Sequence, residues 1–138
     1  KVASGLSEAY GIKIAIHCHG GYMFGGSLDV IEHLVSLGKP YIGVNIDTAW
    51  CMQAAGKPVE WVKKLGSSVY GIHYKDFVFD RAGKWSETVV GEGNLPLKEL
   101  VQTLEDTGFS GFSVIEYEAD PSDPAPAIKR CVEKIRSI

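Results

Sequence analysis

The chain has 138 residues, 45% of them hydrophobic and 22% charged, and its 14 Lys and Arg against 17 Asp and Glu give a formal charge of −3. That make-up belongs to one folded domain of ordinary size, and it excludes a collagen, a coiled coil or a disordered tail. No apolar run approaches the ~20 residues of a spanning helix, no charged start leads into an apolar stretch, and no basic patch marks a nucleic-acid surface. Neither membrane nor nucleic acid is expected as a partner, and a cytoplasmic location is. The three cysteines, at 18, 51 and 131, are odd in number and far apart. They read as reduced, mostly buried thiols rather than as a disulfide framework or a metal site.

In chain order, Lys1 to Tyr10 reads as the tail of a helix whose beginning is not in view, so a preceding segment is expected. A β-rich run, Lys13-Ile-Ala-Ile-His17, then leads through Gly20, Gly21, Gly25 and Gly26 to a helix from about Ser27 to Leu37. Ser27 is placed as its N-cap and Gly38 just past its end. The second run is Tyr41-Ile-Gly-Val-Asn-Ile-Asp47, with a helix that has Pro58 near its first position and ends at Gly66. The third, Val69-Tyr-Gly-Ile-His73, is trailed by a long loop to Asn94 and a helix with Leu97, Leu100, Val101 and Leu104 that stops at Gly108. The fourth, Phe112-Ser-Val-Ile-Glu116, is followed by a Pro-rich loop and a helix from about Ala125 to Ile138. Strands alternating with helical patterns predict βαβ units and a parallel sheet in a single α/β domain over 1–138.

Within the strands, Ile14, Ile16, Ile42, Val44, Ile46, Tyr70, Ile72 and Ile115 share one phase. The other phase carries Lys13, Ala15 and His17, then Gly43, Asn45 and Asp47, then Gly71 and His73, then Phe112, Val114 and Glu116. An open doubly wound sheet is apolar on both faces. One greasy face and one small or polar face predict instead the wall of a (β/α) barrel, helices outside. A full barrel has eight units in about 250 residues, so four units are half of one. Half a barrel leaves two open edges and a bare inner face. Association with a missing N-terminal half, or with a second copy, is therefore expected.

Each strand ends on the inner phase in a polar side chain: His17, Asp47, His73 and Glu116. Strand ends at that face of a barrel surround one site, and two imidazoles with two carboxylates suit one divalent ion such as Mn, Co, Mg or Zn. His19 lies two residues beyond His17 and is open to three readings: a ligand, a donor to a substrate hydroxyl, or a turn residue held by the Gly20-Gly21 backbone. Glu118 falls one step outward of Glu116. Lys75 is placed to bind a substrate oxygen and Asp76 to hold a neighbouring imidazole, unless the two form a solvated loop pair. His33 reads as a surface residue of its helix. Gly91-Glu92-Gly93 says only that the backbone bends.

Four motifs resemble those of the xylose-isomerase-like TIM barrels, a superfamily that includes sugar-phosphate isomerases, epimerases and inosose dehydratases. Ile16-His17-Cys18-His19-Gly20-Gly21 resembles its fifth-strand E/H-x-H-G motif, and Asp47-Thr48-Ala49-Trp50 its sixth-strand D-T-G-H. His73-Tyr74-Lys75-Asp76 is similar to the seventh-strand H-x-K-D, with Gly91-Glu92-Gly93 as the following turn, and Val114-Ile115-Glu116 to the eighth-strand motif. The resemblance implies strands five to eight of the barrel, and one divalent metal on His17, Asp47, His73 and Glu116. Two positions depart from it: His17 where many members have Glu, and Trp50 where many have His.

Family epimerases use two opposed metal-bound Glu residues, and a metal-bound His17 is a poor base. The resemblance therefore implies Glu116 as the single proton carrier, with His19 and Lys75 beside it in catalysis. Trp50, His19, Lys75 and Glu118 become the substrate contacts, with Trp50 stacking on a sugar ring or packing in the core. One-base chemistry points to a sugar or polyol isomerase, or to a lyase or dehydratase. The alternatives are an epimerase of the same superfamily and a non-catalytic truncated barrel or binding module. The superfamily's abasic-DNA endonucleases need more zinc ligands and a basic surface than 4 His and a charge of −3 supply.

Overall fold

The computed structural model describes residues 1–20 and 26–138. Gly21 and Gly25, assigned above to the first loop, lie outside the described residues. Helix α1, Val2–Tyr10, ends on Gly11, whose φ of 66° a glycine adopts without strain. The main sheet has four parallel strands: β1 (Ile14–His17), β2 (Ile42–Asp47), β3 (Val69–Tyr74) and β6 (Phe112–Ile115), paired in the order β1-β2-β3-β6. The connecting helices are α2 (Leu28–Gly38), α3 (Thr48–Gln53), α4 (Pro58–Leu65) and α5 (Leu97–Asp106), and α6 (Ala125–Arg136) follows β6. Between β3 and α5 stands an antiparallel hairpin of β4 (Asp76–Phe79) and β5 (Trp85–Thr88).

The greasy phase faces the helices. Val44, Ile46 and Ile72 are fully buried with Ile31, Val35, Val62 and Leu100 in one cluster. The opposite face is an open trough of about 570 Å³, lined by Ala15, His17, Asn45, Gly71, His73 and Val114 among others. Among the described residues nothing pairs with the outer edges of β1 and β6. Phe112 is 82% exposed and Ile14 38%. This is the half-open wall that the alternation predicts.

Several expectations are corrected. Tyr70 leaves the greasy phase, because the register steps from Val44↔Val69 to Asn45↔Gly71 and makes Tyr70 an unpaired bulge residue. A bulge inserts one residue and turns the local side chains by one step. Tyr70 thus lies on the inner side, its ring under the Lys13 ammonium, 4.8 Å from the ring centre, and its hydroxyl bonded to the Pro40 carbonyl. Helix α3, absent from the sequence reading, starts at once from β2 because Asp47 caps it. The long loop after β3 holds the hairpin, its turn tied by Asp80 Oδ1, which accepts the Ala82 and Lys84 amides at 2.8 and 2.9 Å. Ser27 stands at the N-cap of α2 but its side chain bonds no helix amide, and Gly38 is the helix's last residue rather than the one beyond.

Candidate metal centre

Strand β2 delivers Asp47 to the inner face, and the chain then turns straight into α3. Asp47 Oδ1 accepts the Trp50 amide at 2.9 Å, an N-cap that fixes the carboxylate. Asp47 Oδ2 is buried without a hydrogen-bond partner. The Asp47 amide donates to Cys18 Sγ at 3.2 Å, and that thiol donates to the Asn45 carbonyl at 3.3 Å, so the buried Cys18 locks the end of β1 to the end of β2. Thr48 joins β2 to β3 in the same way. Its buried hydroxyl accepts the Lys75 amide at 3.0 Å and lies 2.5 Å from the Lys75 carbonyl.

Around Asp47 Oδ2 stand the other strand ends. His17 Nε2 lies 3.8 Å from it, and the His17 and His73 rings are 4.8 Å apart. His73 Nδ1 and Glu116 Oε2 are 2.6 Å apart in a hydrogen bond. One ligand atom from each of His17, Asp47, His73 and Glu116 lies within 4.8 Å of all the others. Register explains the convergence: Asp47 pairs with His73, and the Glu116 amide donates to the Tyr74 carbonyl just beyond β6.

The electrostatics follow from this crowding. Asp47 raises the His17 imidazole above its ordinary range, against the opposing effect of burial and with help from Glu116. Burial works to raise the Glu116 carboxyl, but Lys75 and His73 outweigh it and hold the carboxyl below its usual range. A buried, unpartnered carboxylate oxygen costs free energy unless something completes its coordination. The two imidazoles and two carboxylates of this group fit a divalent cation, borderline to hard in character.

The remaining predicted residues fall elsewhere. His19 is exposed and stands outside the donor group. Its ring stacks on Trp50 with centroids 4.3 Å apart. Trp50 continues edge-on to Phe77 and to Trp85, each at 5.2 Å. Phe77 and Trp85 stack at 4.2 Å. Lys75, expected among the substrate contacts, is buried behind Glu116, with its ammonium 2.8 Å from Glu116 Oε1, 3.6 Å from Glu87 Oε1 and in contact with Glu118. Burial alone would lower its pKa, yet Glu116, Glu118 and Glu87 hold it above the ordinary lysine range. Glu118 is exposed and meets Lys75 from the solvent side.

Asp76 is neither a partner of an imidazole nor a solvated loop residue. Fully buried, it accepts the Gly91 and Gly93 amides on Oδ2 at 3.0 Å each and the Leu95 amide on Oδ1 at 2.9 Å. It therefore builds the Gly91-Glu92-Gly93 turn. The residues missed from sequence are Glu87 and Trp85, both on β5. Phe77-Val-Phe79 and the alternating Trp85-Ser-Glu-Thr88, joined through Gly83, carried a hairpin signal that could have found them.

A model of the family described as xylose isomerase-like TIM barrel matches residues 1–138. The chain belongs to this family. Among its relatives, the rhizopine catabolism protein MocC of Rhizobium meliloti is 25% identical, over 85% of this chain and 40% of its own length. Inosose dehydratase of Clostridium beijerinckii is 24% identical, over 88% of this chain and 45% of its own. Fructoselysine 3-epimerase of Shigella flexneri is 25% identical, over 80% and 39%. The chain thus spans less than half the length of each. Among solved xylose isomerase-like structures, a xylose isomerase domain protein from Planctomyces limnophilus superposes with a TM-score of 0.76 at 22% identity, covering 99% of this chain and 49% of that one. The IOLI protein, solved with a binding zinc atom, superposes at 0.73 and 18% identity, covering 97% and 51%. These likenesses establish the barrel fold, with relatives that include a dehydratase and an epimerase. Among the described residues no helix is long and apolar enough to cross a membrane.

Proposed function

We propose that this chain carries the metal-binding half of a divalent-metal-dependent enzyme acting on a sugar or polyol, as an isomerase or as a lyase or dehydratase. The observation that carries the reading is the buried, unpartnered Asp47 Oδ2 in a group where one donor atom from each of His17, Asp47, His73 and Glu116 lies within 4.8 Å of the others. Those four residues would hold Mn, Co, Mg or Zn, and zinc is the ion in the IOLI neighbour. A bound divalent ion supplies Lewis acidity for a carbonyl or hydroxyl oxygen of the substrate.

Glu116 is the proton carrier. Lys75 and His73 favour its ionised form, so it stands ready to take a proton from a carbon beside a carbonyl. Returning that proton to the former carbonyl carbon, while the adjacent hydroxyl's proton passes to the former carbonyl oxygen, gives isomerisation. Delivering it to a departing hydroxyl gives dehydration, with loss of water. Epimerisation needs a second base on the opposite face, and there His17 presents an imidazole already committed to the donor group. The aromatic wall of Trp50 and Trp85, with His19 on its outer side, offers a flat apolar surface to the C–H face of a ring. The open edges of β1 and β6 are taken as seams of an eight-unit barrel, closed by an N-terminal half or by a second copy, with residues 1–138 its C-terminal portion.

The test has two arms. Protein purified without chelator should hold about one divalent ion per site, and His73→Ala should lose it. Incubation with cyclic and open-chain keto-sugars in D2O should place deuterium beside the carbonyl, and Glu116→Gln should abolish that exchange. Protein that binds no divalent ion under any condition tried would overturn the reading.

A further inference from the structure

Lys75 is the largest fully buried side chain of the described residues, with a side-chain exposure of 1%. A buried ammonium is costly unless its charge is matched nearby. Three carboxylates meet it, and their exposures differ: 67% for Glu118, 28% for Glu116 and 8% for Glu87. Solvent screens the Glu118 charge strongly, whereas Glu116 is drawn to the donor group through His73. The buried counter-charge of Lys75 is therefore Glu87. The same carboxylate accepts the Glu118 backbone amide at 3.0 Å, so it also fastens β5 to the segment that carries Glu116.

We propose that Glu87 is a positioning residue of the metal centre, holding the Lys75 ammonium against Glu116 Oε1 and cancelling its charge so that a cation can sit on the other side of Glu116. The inference rests on the metal-centre reading above. Without Glu87, the buried positive charge is left with one solvent-screened partner and one shared with the donor group, and it opposes a second cation there. The β4–β5 hairpin then has a chemical reason to be where it is, because it brings the neutralising charge to the rear of the site.

The experiment titrates the purified protein with Co(II) against a chromophoric chelator and follows the visible cobalt bands. Glu87→Gln keeps the volume and an acceptor for the Glu118 amide, and loses only the charge. It should weaken Co(II) binding by about 10-fold or more, the usual effect of removing a residue that supports a metal ligand. Ser86→Ala, on the same strand and away from Lys75, should match the wild type. In a Lys75→Met background the Glu87→Gln effect should shrink to less than about 3-fold, because Glu87 acts through Lys75. A Glu87→Gln protein that binds Co(II) as the wild type does overturns the proposal while leaving the metal centre intact. The same loss with and without Lys75 also overturns it. A wild type that binds no Co(II) overturns the metal centre and this inference together. The single-variant comparison decides the matter even if the double variant does not fold.

Discussion

The Asp47 carboxylate is divided between two tasks, Oδ1 capping α3 through the Trp50 amide at 2.9 Å and Oδ2 lying buried with no partner. Asparagine caps helices about as well as aspartate. Asp47→Asn should therefore change apo stability by less than about 1 kcal/mol, since the cap oxygen survives and a buried charge is removed. Metal affinity should fall about 100-fold or more, because one of four anionic or imidazole donors is lost. Thermal melts with and without added Mn(II) or Zn(II) check both halves. Wild-type melting should rise with metal concentration, and the variant should need at least about 100-fold more metal for the same rise.

The buried Asp76 predicts a stability effect remote from any chemistry. Asp76→Ala strips the acceptor from the Gly91, Gly93 and Leu95 amides and should cost about 3 kcal/mol or more. Asp76→Asn keeps one accepting oxygen and should cost about half of that. Urea unfolding gives the totals, and amide exchange at those three residues should quicken in both variants. Gly93→Ala belongs to the same set, because a Cβ there would lie 2.5 Å from Asp76 Oδ1 and 2.6 Å from the Phe77 carbonyl. A cost of about 1–3 kcal/mol is expected from that crowding.

The convergence of residues 17, 47, 73 and 116 and the four parallel strands were legible because they depend on strand phase, a property of period two that survives in any single sequence. Tyr70 was misplaced for the same reason, since one bulged residue reverses the phase without leaving a mark in composition. Lys75 and Asp76 were misread through their neighbours. Whether a charged residue after a strand end is solvated or buried depends on what folds over it, and what folds over these two is the hairpin. Its strands, Asp76–Phe79 and Trp85–Thr88, lie inside the stretch that reads as one long loop to Asn94, and that reading passes over their alternation. Thr48 and Cys18 were unreadable as latches because their roles exist only between strands.

The cysteines should behave as core residues. Burial pushes the Cys18 thiol up to about 12 and raises the thiols of Cys51 and Cys131 as well. All three are at most 1% exposed. Native protein at pH 8 should react with essentially no equivalents of an aromatic disulfide reagent, and protein in urea with all three, because the thiolate is the reactive form. Rapid modification of Cys18 in the native protein would show that the β1–β2 latch opens.

Lys75 makes the strongest stability prediction, and its sign can be worked out. Lys75→Met leaves the buried Glu87 facing Glu116 without a cation between them, and breaking a buried charge cluster in this way costs about 3–5 kcal/mol. The variant's deficit should shrink as pH falls and the carboxylates take up protons. Burial already raises Glu87 above its usual range in the wild type, so it should be among the first to do so. For the wild type, the folded pKa of Lys75 lies above its unfolded value of about 10.4. The lysine's own contribution is thus in place up to about pH 10 while its carboxylate partners stay ionised, and it is lost as pH rises through the folded value. Denaturation midpoints measured from pH 5 to pH 11 should show the gap between the wild-type and Lys75→Met curves narrowing toward the acid end and beginning to narrow again above about pH 10. Parallel curves across that range would mean that Lys75 is held by packing of its methylene stem rather than by its charge.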